Sequence, residues 1–495
     1  MRSGSIRPGA RDPFRSVHHR GWAMKLGQTS AVHLISRIGV SAVGFVATVY
    51  LARELGSETL GTYFLVVSVL YWLLVFGDFG LTNSLLKRLS EADSSEGILA
   101  AGILIRIALF ALVAAAILVV APLLNEYIGA PVAPWIVAML GTKLAYDFVR
   151  SVLEGQHKVH VASLLDPLDR TVRSGVQIAL VVIGTGFVGL LVGYIAGALV
   201  AIAVGVYLAR ARLTIPTQED VRSLVSFAKY AWIGTVKSRA FLSMDTIVLG
   251  FFLATNSRIG IYEVAWSLAS LFAIFGNSLK RAIFPEISSL GRDQTDRIRD
   301  LTSVSVAYSG LFLIPGLVGA ALVGDIVLTI YGQEFAEGAT VLVVLVCSQL
   351  VYVYEEQFIT VLGAMDYPQA IFRVNTVFLV TNLGLNLLLV PSIGWIGAAL
   401  ATTASAAVGL VIGYRRLREV LEFGLPLGEI GRQAVAALAM GGAVYAGRTL
   451  LGDSLAVVLL LVGGGGALYV LVLLRISTQF RRTVFDNVSP LVPRL

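Results

Sequence analysis

Apolar runs of about 20 residues, parted by short polar turns, recur along the whole of this 495-residue chain. A helix of that length matches the hydrocarbon core of a bilayer. In lipid every backbone N–H and C=O must be satisfied within the protein, which leaves helices as the form such runs can take. The pattern therefore predicts an all-α polytopic membrane protein. Fourteen transmembrane helices are expected, over 29–53, 61–84, 98–121, 132–154, 162–184, 187–208, 228–253, 259–284, 303–323, 337–362, 369–391, 394–414, 432–449 and 455–474. Composition agrees: 56% of residues are hydrophobic and 14% charged, where a soluble chain carries roughly a quarter charged residues.

The charges orient the spans. With the N-terminus in the cytoplasm, the inner gaps hold Lys87, Arg88, Arg150, Lys158, Arg210, Arg212, Arg222, Lys280, Arg281, Arg292, Arg297, Arg299, Arg415, Arg416 and Arg418. The outer gaps hold Arg53, Arg258 and Arg448. That is the asymmetry of the positive-inside rule, and it predicts both termini in the cytoplasm of a multi-pass cell-membrane protein. The net charge of +7 and isoelectric point near 9.4 follow from topology, so no nucleic-acid partner is expected. Residues 1–27 form a basic tail, expected to be disordered and without the apolar core of a secretory signal. Met24, beside Lys25 and the first span, is an alternative start. Cys347 is the sole cysteine, which excludes an internal disulfide and a cysteine metal site.

Gly61, Tyr63, Ser68, Phe76 and Gly77 reappear 199 positions later as Gly260, Tyr262, Ser267, Phe275 and Gly276. Both copies lie in spans running outside to inside, so the chain reads as two parallel six-helix repeats with an extra C-terminal pair. The domain reading is a 28–208 bundle, a 209–227 linker, a 228–414 bundle, a 415–431 linker, appended helices over 432–475 and a 476–495 cytoplasmic tail. Small residues recur every fourth position in span 6 (Gly189, Gly193, Gly197, Ala201, Gly205) and span 12 (Gly397, Ala401, Ser405, Gly409, Gly413). They are read as surfaces for close helix packing. Gly184, Gly186 and Gly189 match a GxGxxG pattern, but at a turn between spans, where no phosphate-binding strand–helix unit exists.

Ionisable residues within spans are costly and point to function. Arg37 lies about 12 Å into span 1, at 1.5 Å per residue. Span 7 carries Lys237 and Arg239 at similar depth, and the repeat offset brings Arg37 within one residue of Lys237. These cations are read as facing a hydrated cavity rather than snorkelling to the interface. Asp78, Asp245, Glu355, Glu356 and Arg373 are cavity or coupling-ion candidates, with Asn375, Asn382 and Asn386 near the last of them. Asp78 has no partner in its own helix, and Arg106 is read as a snorkeller. A Glu–Arg pair between spans 10 and 11 is the alternative for Glu355, Glu356 and Arg373. Lys143, Asp147 and Arg150 share a helix face as gate or structural pairs, as do Asp166, Asp169, Arg170 and Arg173. No catalytic or metal-binding set emerges, and no P-loop. The outer loops are short and lack paired acids, so no enzyme is expected.

Phe227–Leu253, Gly260–Ile-Tyr262 and Ala282–Ile-Phe-Pro-Glu286 resemble the second half of the polysaccharide transport (oligosaccharide flippase) family. Val49–Tyr-Leu-Ala-Arg53, Leu55–Gly and Gly61–Thr-Tyr63 resemble its first half, and the likeness runs over about residues 25 to 475. The superfamily also holds multidrug and toxin extrusion proteins and lipid II flippases. The resemblance implies two six-helix bundles around a V-shaped cavity lined by spans 1, 2, 7 and 8. It implies alternating access that turns a polyprenyl- or dolichyl-linked sugar to the outer leaflet, for surface polysaccharide or glycoprotein synthesis. Arg37, Lys237 and Arg239 would then pair with the lipid's phosphate. No cofactor is implied beyond Na+ or H+ as a candidate coupling ion. The implied partners are the lipid-linked sugar, membrane lipids and the glycosyltransferases or polymerase of the same pathway, around a monomer. An ion-coupled multidrug or metabolite antiporter of the same fold and a lipid II flippase are the alternatives. The opening residues also resemble archaeal members of the family.

Overall fold

The computed structural model describes residues 19–91, 96–209, 214–291 and 294–482; side chains at 19–42, 227 and 229–235 fall outside that description. The tail 1–18, the Arg37 side chain and residues 483–495 therefore lie outside the described residues. Among the described residues there is no strand. The first half holds α1 (His19–Asp78), α2 (Leu81–Glu91), α3 (Glu96–Val119), α4 (Ala121–Ile128), α5 (Ala133–Gly155), α6 (Val159–Val182) and α7 (Gly186–Ala209). The second holds α8 (Gln218–Phe252), α9 (Ser257–Phe272), α10 (Ile274–Ser289), α11 (Thr295–Ser309), α12 (Leu313–Leu328), α13 (Ala339–Ala364), α14 (Pro368–Ile393) and α15 (Trp395–Val420). Then come α16 (Leu427–Leu451) and α17 (Leu455–Ile476).

Each expected span falls on helix, but the segments apolar and long enough to cross a bilayer are fewer. Among the described residues they number nine, or eleven when each bent pair is one crossing. The shortfall has physical causes. The first expected span lies mostly before Val43, where the apolar stretch of α1 is described from. Helix α6 carries Asp166, Asp169, Arg170 and Arg173, and α8 carries Lys237, Arg239 and Asp245, so neither offers an unbroken apolar stretch of bilayer length.

Local chemistry sets the breaks. Gly56 adopts φ 75° and ψ 171°, a conformation that interrupts α1 between its two expected spans and suits a residue without Cβ. Helix α8 starts at a capping box: Asp220 N–H donates to the Thr217 hydroxyl (3.2 Å), and Thr217 N–H donates to the Asp220 carboxylate (2.9 Å). Asp220 has a further neighbour, since a Cβ on Gly97 would lie 2.6 Å from its Oδ2.

In lipid, helices associate through close packing rather than hydrophobic transfer, so small residues decide which faces meet. A Cβ at Gly193 would lie 2.3 Å from Gln177 Cγ, and one at Gly197 would lie 2.6 Å from the Asp169 carbonyl oxygen. The span 6 ladder thus seats α7 on α6. Gly397 does the same for α15 on α14, with the Leu389 carbonyl oxygen 2.4 Å from its virtual Cβ. Gly77 meets Leu144 of α5, and its repeat mate Gly276 meets Val353 of α13. The duplicated residues therefore occupy corresponding contacts in the two halves.

The appended helices satisfy a broken span. Between α11 and α12 the helix is interrupted at residues 310–312. Gln433 Nε2 donates to the Ala307 carbonyl (2.7 Å) and Tyr469 Oη to the Leu311 carbonyl (2.9 Å). Side chains of α16 and α17 thereby bond carbonyls beside the break, as lipid-embedded backbone requires. At the far end of α16, Arg448 pairs with Asp325 at 3.0 Å and Asp453 at 2.8 Å.

Arg106 does not snorkel, and the cation that meets Asp78 comes from α3. Arg106 is 6% exposed; its Nη2 lies 2.5 Å from Asp78 Oδ1 and its Nη1 donates to the Leu144 carbonyl at 2.6 Å. The partner sits on another helix, α3 against the end of α1, so helical spacing could not reveal it. Replacing Arg106 by Ala leaves the partly exposed Asp78 carboxylate to the Thr82 N–H and hydroxyl alone, at a cost of about 1–3 kcal/mol. The expected result is a lower unfolding temperature in detergent, largely restored by adding Asp78→Asn.

Candidate functional site

The two halves cross where α1, after Gly56, meets the start of α9. The crossing is backbone against backbone. A Cβ on Gly61 would lie 1.8 Å from the Asn256 carbonyl oxygen, and one on Gly260 would lie 2.1 Å from the Ser57 carbonyl oxygen. These glycines are repeat mates, so the duplication places the same requirement on both sides. The Ser57 and Ser257 hydroxyls are hydrogen-bonded at 2.6 Å. Glu58 accepts from the Asn256 N–H (3.1 Å) and the Ser257 N–H (2.7 Å), at the start of α9 where a helix end favours negative charge. Glu334 accepts from the Ser57 N–H at 2.7 Å, and Arg53 donates to the Ile330 carbonyl at 2.7 Å. Every one of these bonds joins the N-terminal half to the C-terminal half.

Deeper in, Lys237 of α8 is 5% exposed, and its ammonium lies 3.0 Å from both Glu355 and Glu356 of α13. Lys280 of α10 pairs with Glu356 at 2.8 Å. The carboxylates thus meet lysines rather than Arg373, which is exposed on α14. Glu355 is fully buried. A Cβ on Gly409 would lie 2.4 Å from its Oε1, so this member of the span 12 ladder makes room for a carboxylate as well as a helix. Arg239, two residues on and so on roughly the opposite side of α8 from Lys237, has its guanidinium 4.8 Å from the centre of the Tyr71 ring. Among the described residues it has no ion pair. It therefore presents a positive charge between the halves, with an aromatic face as its support.

Asp245, also on α8, sits in a different setting. Its carboxylate is buried and accepts from Tyr262 Oη (2.5 Å), Asn386 Nδ2 (3.0 Å) and Thr402 Oγ1 (2.8 Å). Asn382 donates to the Thr402 hydroxyl at 3.0 Å. The Oδ1 atoms of Asn382 and Asn386 are buried without a hydrogen-bond partner. Nearby, Thr246 donates to Glu263. In the first half the repeat mate of Tyr262, Tyr63, accepts instead from the neutral Gln177 at 3.1 Å. The same frame thus carries a carboxylate in one half only.

The remaining candidates resolve locally. Lys143 pairs with Asp147 at 3.2 Å. Arg150 does not join them: it pairs with Glu154 and with Asp166 of α6, both at 2.9 Å. Asp169 and Arg173 pair at 2.6 Å, and the Arg173 guanidinium lies 3.9 Å from the Tyr194 ring centre. Sequence reasoning missed Lys280 as a site residue, because it counted with the inner positive charges. It also missed Thr402 and Gly409, whose roles depend on contacts between distant helices.

This fold defines a class of all-helical, multi-span membrane proteins built of two similar halves. In fold the chain is similar to a lipid II flippase MurJ in an inward closed conformation, with a TM-score of 0.75 at 15% identity, over 93% of this chain and 100% of that one. It is also similar to an inward-facing multidrug resistance MATE family transporter, with a TM-score of 0.63 at 14% identity, over 78% of this chain and 98% of that one. The chain belongs to the polysaccharide biosynthesis protein family, which it matches over residues 26–290. Residues 169–463 also match the lipid II flippase MurJ family. It is 32% identical to the probable flippase AglR of Haloferax volcanii, over 94% of this chain and 99% of that protein. It is 28% identical to the probable low-salt glycan biosynthesis flippase Agl15 of the same organism, over 95% and 100%.

Proposed function

We propose that this chain is a flippase that turns a polyprenyl- or dolichyl-phosphate-linked sugar from the inner to the outer leaflet by alternating access. The observation that carries the reading is the seal between halves: main chains touching at Gly61 and Gly260, with charged groups held beneath it at membrane depth. Such a seal closes the outward path while the inner halves hold the groups that meet the substrate. Arg239, stacked on Tyr71 and free of an ion pair among the described residues, is the cation for the lipid's phosphate. Arg37 is a second candidate by its place in the sequence. The full-length likeness to two proteins named as flippases supports this substrate class. The chain works as a monomer in the cell membrane with both termini in the cytoplasm, alongside the glycosyltransferases or polymerase that make or use the glycan. It performs no covalent chemistry of its own.

The coupling ion, Na+ or H+, binds at Asp245. The donor set is all oxygen and fits a hard cation: the Asp245 carboxylate, the Thr402 hydroxyl, and the unpartnered Oδ1 atoms of Asn382 and Asn386. Asp245→Asn should abolish the dependence of transport on an imposed ion gradient. Thr402→Val removes one of these oxygens and should weaken the apparent affinity for the ion by at least the roughly tenfold seen when a ligand's surroundings are disturbed. Transport in vesicles under a Na+ gradient or a pH gradient identifies the ion. Gradient dependence that persists in Asp245→Asn would remove this site from the mechanism.

A further inference from the structure

The flippase reading leaves a puzzle in its centre, because Lys237 and Lys280 are already held by carboxylates. The four groups form a chain of alternating charge across three helices: Glu355 and Glu356 on α13, Lys237 on α8 and Lys280 on α10. The two carboxylates are not equivalent. Glu355 is fully buried, bonds Lys237 alone at 3.0 Å, and is seated in the space left by Gly409. It is a fixed partner. Glu356 spans two ammonium groups, with Oε1 3.0 Å from Lys237 and Oε2 2.8 Å from Lys280. Its side chain and that of Lys280 are the accessible edge, 15% and 30% exposed. Helix α10, which carries Lys280, follows a 50° bend after α9.

We infer that Glu356 is an internal stand-in for the substrate's phosphate, holding Lys237 and Lys280 in the empty carrier and giving them up by exchange when the anionic headgroup arrives. This rests on the flippase reading and names the groups that grip the headgroup. A carboxylate bridging two ammoniums offers two oxygens. A phosphodiester joining lipid to sugar likewise presents two free oxygens sharing one negative charge, so it can take the same pair of donors. The exchange also answers an energetic need. A cation left unpaired inside a membrane protein is costly, and Glu356 together with Glu355 keeps both lysines neutralised while the carrier is empty. Its return to the lysines then drives the headgroup off after translocation.

Binding of a short polyprenyl monophosphate to the purified protein in nanodiscs tests this. Glu356→Gln removes the competitor, so this probe should bind about tenfold tighter or more, as expected when the competent fraction rises. Glu356→Asp keeps the competitor and should bind like the wild type. Lys280→Gln, at a partly exposed position, should bind at least about tenfold weaker, a loss of about 1.4 kcal/mol. Thermal unfolding of each variant establishes that it is folded. Unchanged or weaker binding by folded Glu356→Gln would overturn the exchange, as would unchanged binding by Lys280→Gln should the first variant not fold. If the wild type binds the probe and neither variant differs, the exchange falls while the flippase reading stands. If neither wild type nor variants bind it, both fall.

Discussion

Oxidising a Ser57→Cys/Ser257→Cys variant, made in a Cys347→Ser background, is expected to stop transport, and reduction is expected to restore it. The two hydroxyl oxygens are 2.6 Å apart, which brings the side chains within reach of a disulfide. Replacing Cys347 removes the chain's one native thiol, so any bond formed joins the two introduced residues. The bond would weld the crossing of α1 and α9, and a carrier that cannot part these segments cannot open outward. The expected loss is large, from full activity to background, because a covalent link removes one of the two states rather than shifting their ratio. Gly61→Val acts in the opposite sense. Its Cβ would fall 1.8 Å from the Asn256 carbonyl oxygen, so the crossing cannot close as seen here. Cross-linking of the same cysteine pair should be much slower in that variant. Full transport by the oxidised double-cysteine protein would show that the crossing does not move.

Lys237→Glu is expected to damage folding before it damages transport. It would put a third carboxylate beside Glu355 and Glu356, with Lys280 the nearest cation still in the chain of charges. Losing one partner of a buried pair costs about 3–5 kcal/mol, and reversal adds repulsion. The unfolding temperature in detergent should fall well below that of the wild type. Exchanging the pair, Lys237→Glu with Glu355→Lys, keeps the net charge and should recover much of that loss. Recovery of folding without recovery of transport would separate the structural pairing of Lys237 from its part in substrate handling. A single Lys237→Glu variant as stable as the wild type would mean that this site is well hydrated rather than buried.

What the sequence revealed and what it hid follow from distance along the chain. The class was legible because runs such as 98–121 and 455–474 have a length that only a bilayer explains. The repeat was legible because Gly61 and Gly260 face each other, and neither position has room for a side chain. Helix-local pairs such as Lys143 with Asp147 follow from spacing alone. Contacts between distant segments were not legible. Arg106 finds Asp78 on another helix, and Arg150 bonds Asp166 of α6 together with Glu154, leaving Asp147 to Lys143. Lys237 meets Glu355 at a separation of 118 residues, which no periodicity encodes. The span 12 ladder was read rightly as a packing surface, yet at Gly409 the thing packed is a carboxylate.

Movement of a lipid-linked sugar between leaflets can be followed directly. The purified protein is placed in vesicles carrying a labelled dolichyl- or polyprenyl-phosphate sugar, and the label exposed on the far leaflet is followed over time. Exposure well above that of protein-free vesicles is expected, absent from the oxidised Ser57→Cys/Ser257→Cys protein and regained on reduction. Exposure equal to that of protein-free vesicles, from folded protein supplied with both Na+ and pH gradients, would contradict the claim.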